Sequence, residues 1–317
     1  MRALFDRLLL VLVSVSGLAA LFALLLVADR FFAAPGAGRD YVLRIPLPRA
    51  GGKLGLPPIE GPMDASRPLV VIDAGHGGHD PGAGADALKE KAVTLALAEA
   101  LRDRLLAAGG VRVALTRSTD RFLLLPERAA IARQLKADLF ISIHADSSTN
   151  PEAAGATLYT LSDRGSNDEA ARIAAAENRA DTINGVTLTG QSDAVSAILV
   201  DLSQRESAAQ AEAFARLVLR EGTNEAERGR IDFRERSIQS AAFIVLKSAD
   251  VPSVLFEAGY LSNPADQQRL ASSEGRQTFA EVTARAIRVH FARRLATAPL
   301  PSAAAPSPAP EASGTGD

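Results

Sequence analysis

The sequence predicts an α/β fold: a mostly parallel, twisted sheet flanked by helices, with one helical insertion. Three observations predict it. Aliphatic runs at residues 70–72, 139–143 and 253–256 read as buried strands, because a continuous apolar run suits a strand covered on both faces. Helical periodicities alternate with these runs, as they do where crossover helices join parallel strands. Between residues 160 and 240 the alternation lapses into helical sequence, too long for an ordinary connection.

Composition narrows the function classes. The chain has 317 residues, enough for one large core or two modest ones, and a formal charge of −2. That balance argues against a nucleic-acid binder, which needs a concentrated basic face. There is no cysteine, so neither a disulfide nor a thiolate is available, and a transition-metal site must use the four histidines and the carboxylates.

Taken in order, residues 1–7 form a short basic stub, with Arg2 and Arg7, ahead of an uncharged apolar run at 8–28. About 20 such residues at ~1.5 Å each span a bilayer core, so the run reads as a transmembrane signal anchor. The stub then stays in the cytoplasm, and the body is exported to the periplasm on an inner-membrane tether, or secreted if the signal is cleaved. Residues 29–67 are rich in Gly and Pro and read as a linker, with a short extended piece at 41–45. Residues 297–317 carry Pro, Ala and Ser and read as a disordered tail. One domain remains, residues 68–296.

Inside it, the strand at 70–72 runs into a Gly-rich turn. Val93, Leu97, Leu101 and Leu105 form one stripe of a helix that stops at Gly109 and Gly110, and a strand follows at 111–115. Pro126 suits the first turn of a helix running to Leu135. Strands follow at 139–143 and 155–161. The insertion, about 162–238, opens with a capping-box pattern at Ser166 and Glu169 for a helix over 167–179. Ser203 and Glu206 open a second helix with Ala211, Phe214, Ala215 and Val218 on one face and Gly222 as its stop. This insertion is a cap, a partner-binding arm or a lid. A strand at 253–256 and a helix near 277–294, with Phe279, Val282, Ala286 and Val289 inward, complete the domain.

Three strand ends present polar side chains: His76, His144 and Glu257. Carboxyl ends of parallel strands share one sheet edge, so residues far apart in sequence can meet there. Glu90, in the first turn of the Val93 helix, can return to the same edge; alone, it would be a helix N-terminal acid. A strand-end histidine alone would be an ordinary structural residue. Together, two imidazoles and a carboxylate make a His2Glu set typical of catalytic zinc, which brings water's pKa down to ~7. Glu257 is then the carboxylate free to move the water's proton.

The segments IDAGHGGHDPGA, EKAVTLALA, LTRSTD, LPERAAIA, DLFISIHAD and VPSVLFEAGYLSN, in this order, resemble zinc-dependent N-acetylmuramoyl-L-alanine amidases. The resemblance covers most of residues 68–295. It implies hydrolysis, in peptidoglycan, of the amide between muramic acid's lactyl group and L-alanine. It also implies His76, Glu90 and His144 as zinc ligands and Glu257 as catalytic acid/base. Ala74 departs from the pattern, where Pro is common. Asp73 and Asp146 would either orient the ligating histidines or serve as turn and capping residues.

The helical insertion resembles that of division-associated members, where a helix blocks the zinc until a protein activator withdraws it. The resemblance implies that EAARIAAAENRAD is that regulatory helix and Glu177 the zinc-blocking residue, with Glu169 a capping acid. The apolar face of the 203–222 helix would either dock the activator or pack on the sheet. Arg117, Asp120 and Arg128 are expected to organise loops, His79 to lie exposed in the Gly-rich loop, and His290 to be structural. Two other readings remain open: a zinc peptidase acting within the stem peptide, and a wall-binding scaffold without activity.

Overall fold

The computed structural model describes residues 55–297, apart from 85–87, 149, 151, 184–185, 188–196, 225–230 and 249. The expected cytoplasmic stub, signal anchor, most of the linker and nearly all of the tail lie outside the described residues. Among the described residues, no helix is long and apolar enough to cross a membrane.

Strand β1 (Leu69–Ala74) leads through the Gly-rich loop to α1 (Glu90–Ala108), then β2 (Arg112–Leu115), α2 (Leu125–Gln134) and β3 (Leu139–His144). β4 (Ala156–Leu161) precedes α3 (Asp168–Glu177), which ends in a 3-10 turn at Asn178–Asp181. A two-stranded ribbon, β5 (Thr182–Ile183) and β6 (Val186–Thr187), precedes α4 (Ala197–Thr223). The chain ends with β7 (Phe233–Ala241), β8 (Ser253–Glu257), α5 (Pro264–Ala271) and α6 (Ser273–Thr297).

The six long strands form one sheet in the order β2-β1-β3-β8-β4-β7. β2, β1, β3 and β8 run parallel, while β4 pairs antiparallel with β8 and parallel with β7, so the sheet is mixed. The carboxyl ends of β1, β3 and β8 and the start of β4 therefore share one edge. Successive side chains of a strand point to opposite faces. Ile72, Ile141 and Phe256 accordingly face the core beneath α1, α4 and α6, while Val71, Phe140 and Leu255 face that beneath α2 and α3.

Two expectations need correction, and one open alternative is decided. The helical insertion does not run to 238, because β7 begins at Phe233. Its sequence, FRERSIQSA, alternates polar residues along an edge strand with much of its length near solvent, which hides the strand signal. Secondly, of the two alternatives for the apolar face of α4, packing on the core holds and a free docking surface does not. Ala211, Phe214, Ala215 and Val218 are all buried in the main core against α6, and Phe214 alone contributes about 1.5–3 kcal/mol of burial. Thirdly, Asn167 rather than Ser166 caps α3, its side chain accepting from the Ala170 N–H at 2.9 Å. Ahead of residue 68, Glu60 exchanges two backbone hydrogen bonds with Val113 on the edge strand β2.

Candidate metal centre

β1 stops at Ala74 because the backbone must turn at once. His76 itself adopts φ 58°, in the left-handed region, and buried cations hold it there. Arg128 donates to the carbonyls of Ala74 and His76 at 2.7 and 2.8 Å, and Arg117 donates to those of Ala74 and Gly75, both at 2.8 Å. Asp120 accepts from the Gly78 N–H and from Lys91, pinning the loop's far side to α1. Residues 75 and 82 must be glycine by contact. A Cβ at Gly75 would lie 2.5 Å from the His144 ring, and one at Gly82, 2.6 Å from Glu90 Oε2.

The turn aims His76 Nε2 across the sheet edge, β3 delivers His144, and the first turn of α1 delivers Glu90. The Glu90 carboxylate is held by the N–H groups of Ala145 at 2.9 Å and Ala83 at 2.8 Å. Its oxygens lie 3.1 Å from His76 Nε2 and 3.1 Å from His144 Nδ1. The fourth group is Glu177, from the last turn of α3, with Oε2 3.3 Å from His76 Nε2 and 3.1 Å from His144 Nδ1. One donor atom from each of these buried residues fits within a 4.8 Å cluster.

The chemistry of this set fits a divalent cation. Two imidazoles and carboxylate oxygens at tetrahedral-scale spacing are zinc donors. His76 Nε2 and Glu177 Oε2 are buried with no hydrogen-bond partner, which is costly unless something between them is satisfied. Burial disfavours the charged form of each residue, but the opposite charges beside it prevail. His144 is pushed up to about 10 and His76 also rises, Glu90 falls to about 2 and Glu177 falls as well. The pocket therefore stabilises positive charge among its carboxylates, as a cation site must.

The residues around the cluster differ from expectation. Asp73 does not orient a histidine: it accepts from Thr116 and Ser142 and pairs with Arg128 at 2.9 Å, anchoring the cation that shapes the loop. Asp146 does not either; its N–H donates to Glu257 Oε2 at 3.1 Å. The acid that orients His76 is Asp80, whose Oδ2 lies 2.7 Å from His76 Nδ1, fixing that nitrogen as the donor and leaving Nε2 turned toward the cluster. Asp80 reaches it because residues 77–80 close into a tight bridge, and an acid four residues past a strand-end histidine in a Gly-rich run is its one sequence signal. Glu169 does not cap α3 but pairs with Arg234 at 2.6 Å. As expected, His79 is exposed, its ring lying tilted against Phe122. His290 is buried between Phe214 and Phe291.

Glu257, at the end of β8, lies opposite His144 in register. It is buried, and its Oε1 has no partner. Burial and the neighbouring Asp146 charge push its pKa well above the usual carboxylate range.

Residues 70–289 match the N-acetylmuramoyl-L-alanine amidase family. The chain belongs to that family. It is similar to the amidase AmiA of Escherichia coli, 38% identical over 70% of this chain and 76% of that protein. It is similar also to AmiC of Neisseria meningitidis, 37% identical over 68% of this chain and half of that protein. Among solved structures, the amidase AmiC2 of Nostoc punctiforme superposes with a TM-score of 0.50 at 29% identity, covering 71% of this chain and 98% of the other. The enzyme class is thus that of a peptidoglycan amidase.

Proposed function

We propose that this protein is a zinc-dependent amidase that cleaves the bond between N-acetylmuramic acid and L-alanine and is held inactive by its own helix α3. His76, Glu90 and His144 are the zinc ligands, Glu257 the catalytic acid/base, and Glu177 the blocking residue. The observation that carries this reading is the position of Glu177 Oε2, within 3.3 Å of both imidazoles, where a fourth ligand belongs.

Bound zinc supplies Lewis acidity at the scissile carbonyl and lowers the pKa of water. The protein supplies the rest. Asp80 holds the His76 tautomer, and the two N–H groups on Glu90 hold its carboxylate. The Asp146 N–H fixes Glu257 Oε2 and leaves Oε1 to act. Glu257 takes a proton from the attacking water and passes it to the departing L-alanine nitrogen. Burial and the Asp146 charge raise its pKa, which favours its holding the proton that it passes on. While Glu177 lies in the cluster, the attacking water and the scissile carbonyl are kept from it, although the cavity beside it, lined by Asp146 and Arg234, stays open.

Regulation follows from how α3 is held. Its C-terminal end is tied down by Asn178, which bonds Ala242 O at 2.8 Å and the Ile244 N–H at 2.9 Å, and by Asp181 beneath the Leu125 N–H. Withdrawal of Glu177 therefore requires an outside contribution, which a protein activator would make. We place the enzyme in the periplasm, tethered by residues 8–28 through the linker, and assign it to septal wall splitting, on the resemblance of its insertion to that of division-associated members. Digestion of purified sacculi, with mass spectrometry of the products, tests the activity. Free stem peptides beginning with L-alanine, lost on chelation and restored by zinc, are expected. Cleavage within the stem would replace the reading with that of a peptidase.

A further inference from the structure

A cavity of about 880 Å³ opens beside the metal cluster. It starts at Asp146, whose N–H holds Glu257, and is walled on one side by α3 through Glu169, Ile173 and Ala176. Arg234, at the start of β7, lines the other side with Tyr260. We propose that Arg234 binds a carboxylate of the stem peptide, and that Glu169 of α3 stands in for that carboxylate while α3 covers the centre. The inference rests on the amidase reading above.

Arg234 is built for the task. Its guanidinium lies 5.1 Å from the Tyr260 ring centroid and also donates to the Tyr260 hydroxyl. Tyr260 is itself buried and fixed by its own N–H, which donates to Asp266 Oδ2 at 2.9 Å. The Arg234 side chain is only 18% exposed, so a planar, oriented cation is presented to the cavity at little further cost in order. At present Glu169 Oε1 answers it at 2.6 Å from Arg234 Nη2. That acid is 41% exposed, and such a half-exposed pair holds a helix only weakly. Fastening α3 is therefore a poor account of an arginine so well ordered.

Spacing supports the substitution. Glu169 and Glu177 are eight residues apart on one helix, about 12 Å along its axis. An extended peptide advances ~3.4 Å per residue, so the same distance is crossed by three to four residues. That is the reach of a short peptide from its scissile amide to a carboxylate further along. α3 thus presents one acid at the reacting end and one where the substrate's own acid would lie.

The test is calorimetric titration of the full chain with an L-alanine-initiated tetrapeptide stem, with its carboxylates free or amidated; no turnover is involved. In Glu169→Gln the free acid is expected to bind at least fivefold more tightly than to the wild type, and at least tenfold more tightly than the amide. Adding Arg234→Gln removes that preference, and Arg234→Lys in its place keeps part of it, which separates lost charge from lost fold. Equal or undetectable binding of the two peptides to Glu169→Gln, or a preference that survives Arg234→Gln, overturns the proposal. A Glu177→Ala variant without raised hydrolysis would overturn the autoinhibition reading alone, since these titrations do not depend on it.

Discussion

Replacing Glu177 by alanine removes one carboxylate from a buried cluster of four groups, and its effect can be sized from the geometry. Glu177 Oε2 makes two close contacts, at 3.3 Å to His76 Nε2 and 3.1 Å to His144 Nδ1. These contacts are ionic rather than hydrogen-bonded; removing one partner of a buried ion pair costs about 3–5 kcal/mol, and because Glu90 still faces both imidazoles, about 2–3 kcal/mol is assigned to Glu177. At 1.4 kcal/mol per factor of ten, the blocked state is favoured roughly 30- to 150-fold by this side chain. The variant should gain basal hydrolysis toward the lower end of that range, because Asn178 and Asp181 still hold the helix over the site. Release of dye from labelled sacculi, scaled to bound zinc and checked against the melting temperature, measures it. A folded, zinc-loaded Glu177→Ala protein no more active than the wild type would refute the reasoning.

Three further outcomes test other parts of the structure. Glu257→Gln keeps the shape but cannot carry a proton, so hydrolysis by an unblocked enzyme should fall by roughly 10²–10⁴ with zinc content unchanged. Arg128→Met leaves Asp73 buried without its cation, which should cost about 3–5 kcal/mol in urea denaturation and loosen the His76 turn. His290 is held down to about 4 by burial and by Arg294, whereas an unfolded histidine titrates near 6.5. Between those pH values the unfolded chain binds more protons, so stability falls as pH drops, by at most about 3 kcal/mol in all. His290→Leu should flatten that slope, seen by comparing urea midpoints at pH 7 and pH 4.5.

The cluster residues and Glu257 were legible in the sequence as candidates because each sits where an element begins or ends. His144 and Glu257 close apolar runs, His76 follows one, and Glu90 opens an apolar-striped helix, so strand and helix boundaries alone place them on one edge. What the sequence hid depends on contacts between distant segments. Arg234 meets Glu169 across 65 positions, and Arg128 meets Asp73 across 55. β7 stayed invisible because an edge strand with polar alternation lacks the apolar run that reveals β1, β3 and β8.

Glu177 belongs to both groups. Family resemblance pointed to it, yet nothing in the pattern of α3 distinguishes it from any other acid on an amphipathic helix. Its direction is set by polar anchors, Asn167 at one end and Asn178 and Asp181 at the other, which hydrophobic periodicity does not weigh. The same division has a mechanical consequence. His76, His144 and Glu257 are borne by the sheet edge and Glu90 by α1 packed beneath it, whereas Glu177 arrives on a helix whose buried apolar contacts are Ala170, Ile173 and Ala174, with polar anchors at its ends. A force that breaks those few contacts can lift α3 without disturbing His76, Glu90, His144 or Glu257. On the function proposed above, the blocked and open states would differ by one helix, with the four-residue sheet-edge geometry beneath it already assembled.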